Sequence, residues 1–426
     1  MVLACTQIAG AVVGLLRNNV LNRFYFGGGV ADAYIASFRP SDFLFQITVM
    51  AGVSTVLVPM LAKYKATNDQ QGMSELLSSV LWVGSLAFGA IALLASLFFP
   101  SVAPALVRFP EPQMELYIRF GQLALLTNFL FVAGNIFGQY LITVQRYWIY
   151  GLTPIFYSLG TVTGAIFLRG AFGDAAPMAG TLGGALVYVL CRLIAAMRCG
   201  FLPTKLLWHA DILTMGWLML PRMIALGALQ LELLFFDRIA SGMEQGMVVI
   251  NANARDFQSV VVGVIGIALS QSAFSLLSQS AAMRNAARYW TYVRKGTTLL
   301  LVASIPASMV LVLAAPVAAR LVHLHDVISI FWLVLSIYAV SVPLECMNHL
   351  LLRSYYAVHR TGIPASMNIV NGIVAIICSW WLAPVIGIHA LAVGFTAGQL
   401  VQVLGLGALL SQAAGPFFRK REENAA

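Results

Sequence analysis

The stretch GLLRNNVLNRFYFGGGVADAYIASFRPSDFLFQITVMAGVSTVLVP, residues 14–59, decides how the rest of the chain is read. Two apolar runs flank Gly27, Gly28 and Gly29, and both runs contain arginines: Arg17 and Arg23 in the first, Arg39 in the second. Followed outward, the runs cover about residues 2–25 and 30–61, each long enough for the roughly 20 apolar residues a membrane-crossing helix needs. The glycine run reads as a tight turn at a membrane face. No strand precedes it and no Lys-Ser/Thr follows, so it is not a phosphate loop. The first run places its arginines in its second half, unlike the charged start and small-residue end of a cleaved signal peptide, and is read as a permanent span.

The whole composition agrees with that opening. Of 426 residues, 60% are apolar and 10% charged, with a mean hydropathy of +0.85; soluble chains are about 25% charged. Apolar runs recur near residues 2–25, 30–61, 76–99, 113–143, 149–168, 178–199, 213–239, 246–280, 293–319, 327–357, 363–384 and 387–411, so the spacing predicts an all-α protein of about 12 transmembrane helices. Alternate loops then carry 15 Lys and Arg on one side, from Lys63 and Lys65 through Arg146, Arg192 and Lys205 to Arg419, Lys420 and Arg421. The other side has four: Arg108, Arg169, Arg238 and Arg320. The positive-inside rule puts the first set and both termini in the cytoplasm, in a multi-pass inner-membrane arrangement. The net charge of +9 collects at span ends, which argues against a nucleic-acid surface. Five cysteines, Cys5, Cys191, Cys199, Cys346 and Cys378, contain no CxxC pair and imply neither a disulfide framework nor a zinc site.

The halves echo each other in parallel. An offset of 216 residues lays Arg39 on Arg255 and Ser54 on Ser270, while Gln145-Arg146 before Pro154 resembles His359-Arg360 before Pro364. The expected organisation is therefore two six-helix lobes, residues 1–205 and 206–426, around a central cavity, as in transporters built from internal repeats.

The opening stretch, together with LQLELLFFDRIAS (229–241), NANARDFQ (251–258), GVIGIALSQ (263–271) and SYYAVHRTGIP (354–364), resembles the MurJ (MviN) family of lipid II flippases. That family lies in a superfamily with multidrug antiporters and polysaccharide exporters, and the likeness covers most of the chain as a pattern. The family usually has fourteen spans, and about twelve are legible here. The resemblance implies movement of a polyprenyl-pyrophosphate-linked sugar, most simply lipid II for peptidoglycan synthesis, across the inner membrane by alternating access. Arg17, Arg23 and Arg255 resemble cavity-lining arginines, and Arg39 stands where the family tends to be basic. Asn18 stands where an Asp is usual, Gln46 where an Arg is common and Met50 where a Glu is common. A sodium site between the seventh, eleventh and twelfth spans is also implied, with Glu232, Asp237, Asn368, Asn371 and Thr396 as candidate oxygen ligands; a proton is the other candidate coupling ion, and no cofactor is expected.

Physical chemistry points the same way. An Arg at the centre of a lipid-facing helix costs about 2.5–3.5 kcal/mol on insertion scales, so such residues usually face a cavity or a partner. Guanidinium forks bind phosphate oxygens bidentately and stay charged, as a pyrophosphate cargo requires. For Arg23 and Arg39 a second reading is open, snorkelling to an interface with Asp32 or Asp42 nearby. Asn368 and Asn371 have a second reading as helix-to-helix hydrogen bonders, and the glycines four apart at 134/138, 160/164 and 180/184 read as close helix contacts. Other functions compete: export of another lipid-linked oligosaccharide, multidrug cation antiport, or an enzyme on lipid-linked sugars. The excess of intramembrane Arg disfavours the antiporter, and the sequence shows no paired acids or His centre for the enzyme. The expected partners are the lipid-linked sugar and membrane lipids; the sequence names no protein partner.

Overall fold

The computed structural model describes residues 2–204, 208–209 and 211–419. Lys205, Lys420 and Arg421 lie outside the described residues, as do the side chains of Cys5, Ser54, Arg222 and Arg419. Among the described residues the fold is all-α. The first unit contains α1 (Val2–Tyr25), α2 (Val30–Phe45), α3 (Val58–Ala66), α4 (Gln70–Leu106), α5 (Gln113–Thr143), α6 (Tyr147–Phe167), the short α7 (Arg169–Phe172), α8 (Ala176–Arg198) and α9 (Asp211–Ala240). The second contains α10 (Met247–Val262), α11 (Ala268–Ala282), α12 (Ala286–Leu321), α13 (Ile328–Ala357), α14 (Gly362–Ile386) and α15 (His389–Arg419).

Nine helical stretches among the described residues are long and apolar enough to cross a membrane. The α1 rod, the α2–α3 rod and α9 complete the set of about twelve. These three are the segments richest in the charged residues singled out above: Arg17, Arg23, Asp32, Arg39, Glu232 and Asp237.

Packing divides the chain into compact units Met1–Gly246 and Met247–Ala426. In the first, α6 packs on α1 and α8, α5 on α2, α4 and α8, and α9 on α2 and α4. In the second, α13 is central, touching α10, α11, α12 and α15, while α14 pairs with α15. We keep 1–205 and 206–426 as a proposal about duplication, a different quantity from packing, which groups α9 with the helices before it.

The offset of 216 that lays Arg39 on Arg255 has a backbone counterpart. It also lays Asn68 on Arg284, which share left-handed φ of 55° and 54°. The next residues, Asp69 and Asn285, are equivalent N-caps, accepting from Gly72 N at 2.8 Å and Arg288 N at 2.9 Å. Gln145 and His359, at the second echo, are left-handed too, with φ of 63° and 57°. Wide π turns interrupt both second-span rods, at Gln46–Met50 and Val53–Leu57 in one and Gly263–Ile267 in the other.

Gly29 ends the turn between α1 and α2 with φ 69°, and Gln113 covers it so closely that no Cβ fits; the Gln113 amide donates to Gly29 O at 2.8 Å. The α6–α8 contact is a run of glycines in which a Cβ on Gly160, Gly164 or Gly180 would strike the facing backbone. Beside it, Tyr34 on α2 meets Thr181 at 2.8 Å and Thr161 at 3.2 Å, joining three helices through hydroxyls.

One basic residue counted in a cytoplasmic loop sits elsewhere. Arg192 lies in α8 and is 2% exposed. It donates to Thr153 Oγ1 (2.7 Å), Gly134 O and Tyr150 O (both 2.8 Å) and Tyr188 OH (2.5 Å), with Tyr188 and Tyr150 rings 4.4 and 4.9 Å away. Gly134 and Gly138 supply the space: a Cβ at the first would meet Tyr188, and at the second, Arg192.

Candidate functional site

In the first unit, α1 holds Arg17 half-buried, and its Nε and a terminal nitrogen both donate to Asn18 Oδ1 at 3.2 and 3.0 Å. Both N–H groups thus converge on the one amide oxygen, a shared acceptor and not the two-oxygen fork of a carboxylate. That contact orients the guanidinium through a neutral acceptor. Arg23 lies in the last turn of α1, exposed, 5.5 Å over the Phe24 ring.

Arg39 on α2 forms an ion pair with Asp237 on α9, Nε to Oδ2 at 3.1 Å. Of the partners read from sequence, Asp42 lies within reach of the Arg39 charge, but the ion pair is made with Asp237. Asp32 is buried and accepts from Gly246 N at 2.5 Å, while Asp42 accepts from Asn128 Nδ2 at 2.9 Å. Both carboxylates accept from groups on other parts of the chain, 214 and 86 positions away, and Arg39 pairs with an acid 198 positions away. Asp237 is only 4% exposed at its side chain, so the pair is buried on the acid side and more open on the arginine side. Glu232, five residues earlier on α9, is also buried.

In the second unit, α10 carries Arg255, half-buried, with its guanidinium carbon 4.4 Å over the Phe395 ring of α15. Its charge acts on Glu345 of α13, whose Oε2 accepts from Gln258 at 2.7 Å. Gln258 also reaches Ser341 Oγ at 3.2 Å, so a layer of polar groups lies beside Arg255.

Asn368 and Asn371 on α14 are joined through Gln402 of α15. Asn371 Nδ2 donates to Gln402 Oε1 at 2.8 Å, and Gln402 Nε2 donates to Asn368 Oδ1. Thr396 donates to the Ala392 and Ile337 carbonyls at 2.8 and 3.4 Å. Asn371 Oδ1 and Asn348 Oδ1 are buried acceptors without a hydrogen-bond donor among the described residues.

Sequence reasoning missed four participants: Phe395 under Arg255, Gln258 beside Glu345, and the Gln399–Gln402 amides of α15. Asn348 Nδ2 donates to Gln399 Oε1 at 2.6 Å. The signal for the glutamines was present, two amides three apart on one face of an apolar helix. No spacing rule marks Phe395, an aromatic residue among many.

The class follows from these features: a multi-span helical membrane protein whose apolar rods hold guanidinium groups, built like the carriers of the MOP superfamily. The family model described as lipid II flippase MurJ matches residues 22–422, and the chain belongs to that family. It is 23% identical over 394 residues to a probable lipid II flippase MurJ of Haemophilus influenzae, covering 84% of this chain and 75% of the relative. A Treponema pallidum protein of the same description is 19% identical over 431 residues, covering 97% and 81%. Among solved structures, a lipid II flippase MurJ in an inward closed conformation has TM-score 0.79 at 19% identity, covering 96% of this chain and 87% of that one. An inward-facing multidrug resistance MATE family transporter of the MOP superfamily has TM-score 0.82 at 16% identity, covering 96% of each.

Proposed function

We propose that the protein is a flippase that carries a polyprenyl-pyrophosphate-linked sugar, lipid II in the first instance, across a bacterial inner membrane with both termini in the cytoplasm. The observation that supports this reading is Arg17, a half-buried guanidinium within an apolar helix, where a cation is costly unless it serves a cavity or a partner such as an anionic headgroup. Arg255, held on Phe395, is the matching cation in the second unit. Alternate exposure of these arginines to the two membrane faces would move the headgroup, and the isoprenoid tail would stay in hydrocarbon. No bond in the cargo is made or broken, so the reading is of a carrier and not an enzyme.

Arginine binding is symmetric in direction, and a coupling gradient must bias the cycle. For a sodium ion or a proton, the oxygen sources are the α9 carboxylates of Glu232 and Asp237 and, separately, the orphan Asn371 Oδ1 with Asn368 and Thr396 near it on α14 and α15. Asn18, Gln46 and Met50 favour a second cargo of the same chemistry, another polyprenyl-linked oligosaccharide.

Two measurements test the reading. The gene should rescue cells depleted of their lipid II flippase. In proteoliposomes, Arg17→Ala and Arg255→Ala should each cut lipid II translocation at least about tenfold at equal protein levels, the loss of one charge-assisted phosphate contact. Full transport by both variants would sink it.

A further inference from the structure

The short α7 brings a second arginine to the end of α1. The guanidinium carbon of Arg169 lies 5.4 Å from the Phe24 ring centre and 5.6 Å from that of Tyr25, and Arg23 lies 5.5 Å from the same Phe24 ring. Tyr25 OH donates to Ala165 O at 3.4 Å, fastening the end of α1 to the last turns of α6, from which Arg169 follows. Both arginines are exposed, and neither forms an ion pair or hydrogen bond among the described residues. Asp174, in the same turn as Arg169, forms no ion pair with it.

Two like charges on one ring repel each other. The ring's negative face attracts each of them but neutralises neither, so the cluster is incomplete without an anion. Both guanidiniums are held beside the ring and exposed, and a guanidinium fork can take phosphate oxygens two at a time. The surroundings indicate where that phosphate comes from. Phe167 and Phe172, on either side of Arg169, are 76% and 54% exposed, and apolar rings open to the outside beside a charged residue at a span end fit the depth where hydrocarbon meets headgroups. Lipid phosphates are concentrated at that depth.

We propose that Arg23 and Arg169, both stacked on Phe24, hold a lipid phosphate at the outer ends of α1 and α6. The phosphate belongs either to the carried polyprenyl pyrophosphate or to an anionic bilayer lipid. In the first case the site deepens the flippase reading, and rests on it, as the station where the headgroup arrives after crossing; in the second it anchors this rim of the protein.

The test is binding, measured separately from transport. Full-length protein in nanodiscs is titrated with undecaprenyl pyrophosphate and with phosphatidylglycerol, using phosphatidylcholine as background. Arg169→Gln and Arg23→Gln are each expected to weaken phosphate-lipid binding on the order of tenfold, and the double variant little more, because both arginines grip one group. Arg169→Lys should recover only part, since it restores charge without the stacked fork, and Phe24→Leu should lower affinity several-fold with both charges in place. Loss confined to the pyrophosphate assigns the site to cargo, and loss confined to phosphatidylglycerol assigns it to bilayer lipid. Unchanged affinity for both lipids in well-folded Arg169→Gln overturns the proposal. Failure of the wild-type protein to translocate lipid II would instead overturn the flippase reading and leave this site standing.

Discussion

Arg17 illustrates how a single neighbour aims the charge a helix offers. Asn18 Oδ1 accepts from it twice and so orients the guanidinium. Asn18→Leu should therefore keep the protein folded while weakening polyprenyl pyrophosphate affinity several-fold, by removing an acceptor that orients Arg17, and Asn18→Asp should retain the affinity; equal affinity of Asn18→Leu and the unaltered protein in a titration would contradict this. Arg39 makes the opposite case, because its ion pair with Asp237 is largely withdrawn from solvent. Arg39→Ala should lower stability by about 1–3 kcal/mol by removing the ion pair to a buried carboxylate, and adding Asp237→Asn should recover part of the loss in thermal unfolding. Both arginines were legible in sequence, since charge inside an apolar run stands out. The partner of Arg39 was not, because proximity along one helix suggested Asp32 and Asp42, whereas the chain returns on α9 with an acid that no local spacing predicts.

Helix contacts follow a different logic, in which space is as informative as chemistry. The α6–α8 seam has no room for a methyl group at Gly160 or Gly180, whereas Gly183 in the same helix has nothing within 4 Å of a Cβ. Gly180→Ala is expected to cost about 1–3 kcal/mol by forcing the helices apart, and Gly183→Ala should be neutral or slightly stabilising in the same melting experiment. The four-residue glycine spacing made this seam readable from sequence. Arg192 was misread because a basic residue at the end of an apolar run looks the same whether it snorkels or is enclosed. Its enclosure depends on Gly134 and Gly138 across the interface, a relation between helices that no single-helix pattern contains. Arg192→Leu should destabilise on the order of 3 kcal/mol, since it removes four donated hydrogen bonds and leaves the buried Tyr188 hydroxyl without its partner, and Arg192→Lys should rescue little.

Across the molecule, the number of rods and their order were readable because hydrocarbon imposes a fixed length on every crossing. The three least apolar rods, α1, α2–α3 and α9, still emerged, but only because their glycine or polar boundaries and their length agreed while their charges did not. Orientation is the part that charge counting proposes and labelling can test. In a cysteine-free background, Arg169→Cys should react with an impermeant thiol reagent in intact cells, and Arg284→Cys only after the membrane is opened. The reverse pattern would invert the whole arrangement.

The wide turns in the two second-span rods act at this scale as well. They begin seven residues after Arg39 and eight after Arg255, at Gln46 and Gly263 (46 − 39 and 263 − 255). A wide turn accommodates one surplus residue, so the side-chain phase on its far side is displaced by about 100° from that of a regular helix. Deleting one residue from the Gly263–Ile267 turn would leave an unbroken rod in which everything beyond it faces a new direction relative to Arg255, whereas the first rod, with a second wide turn at Val53–Leu57, would need two such deletions. Substitution changes what a helix face displays; these two segments are where a change in length alone would re-aim it.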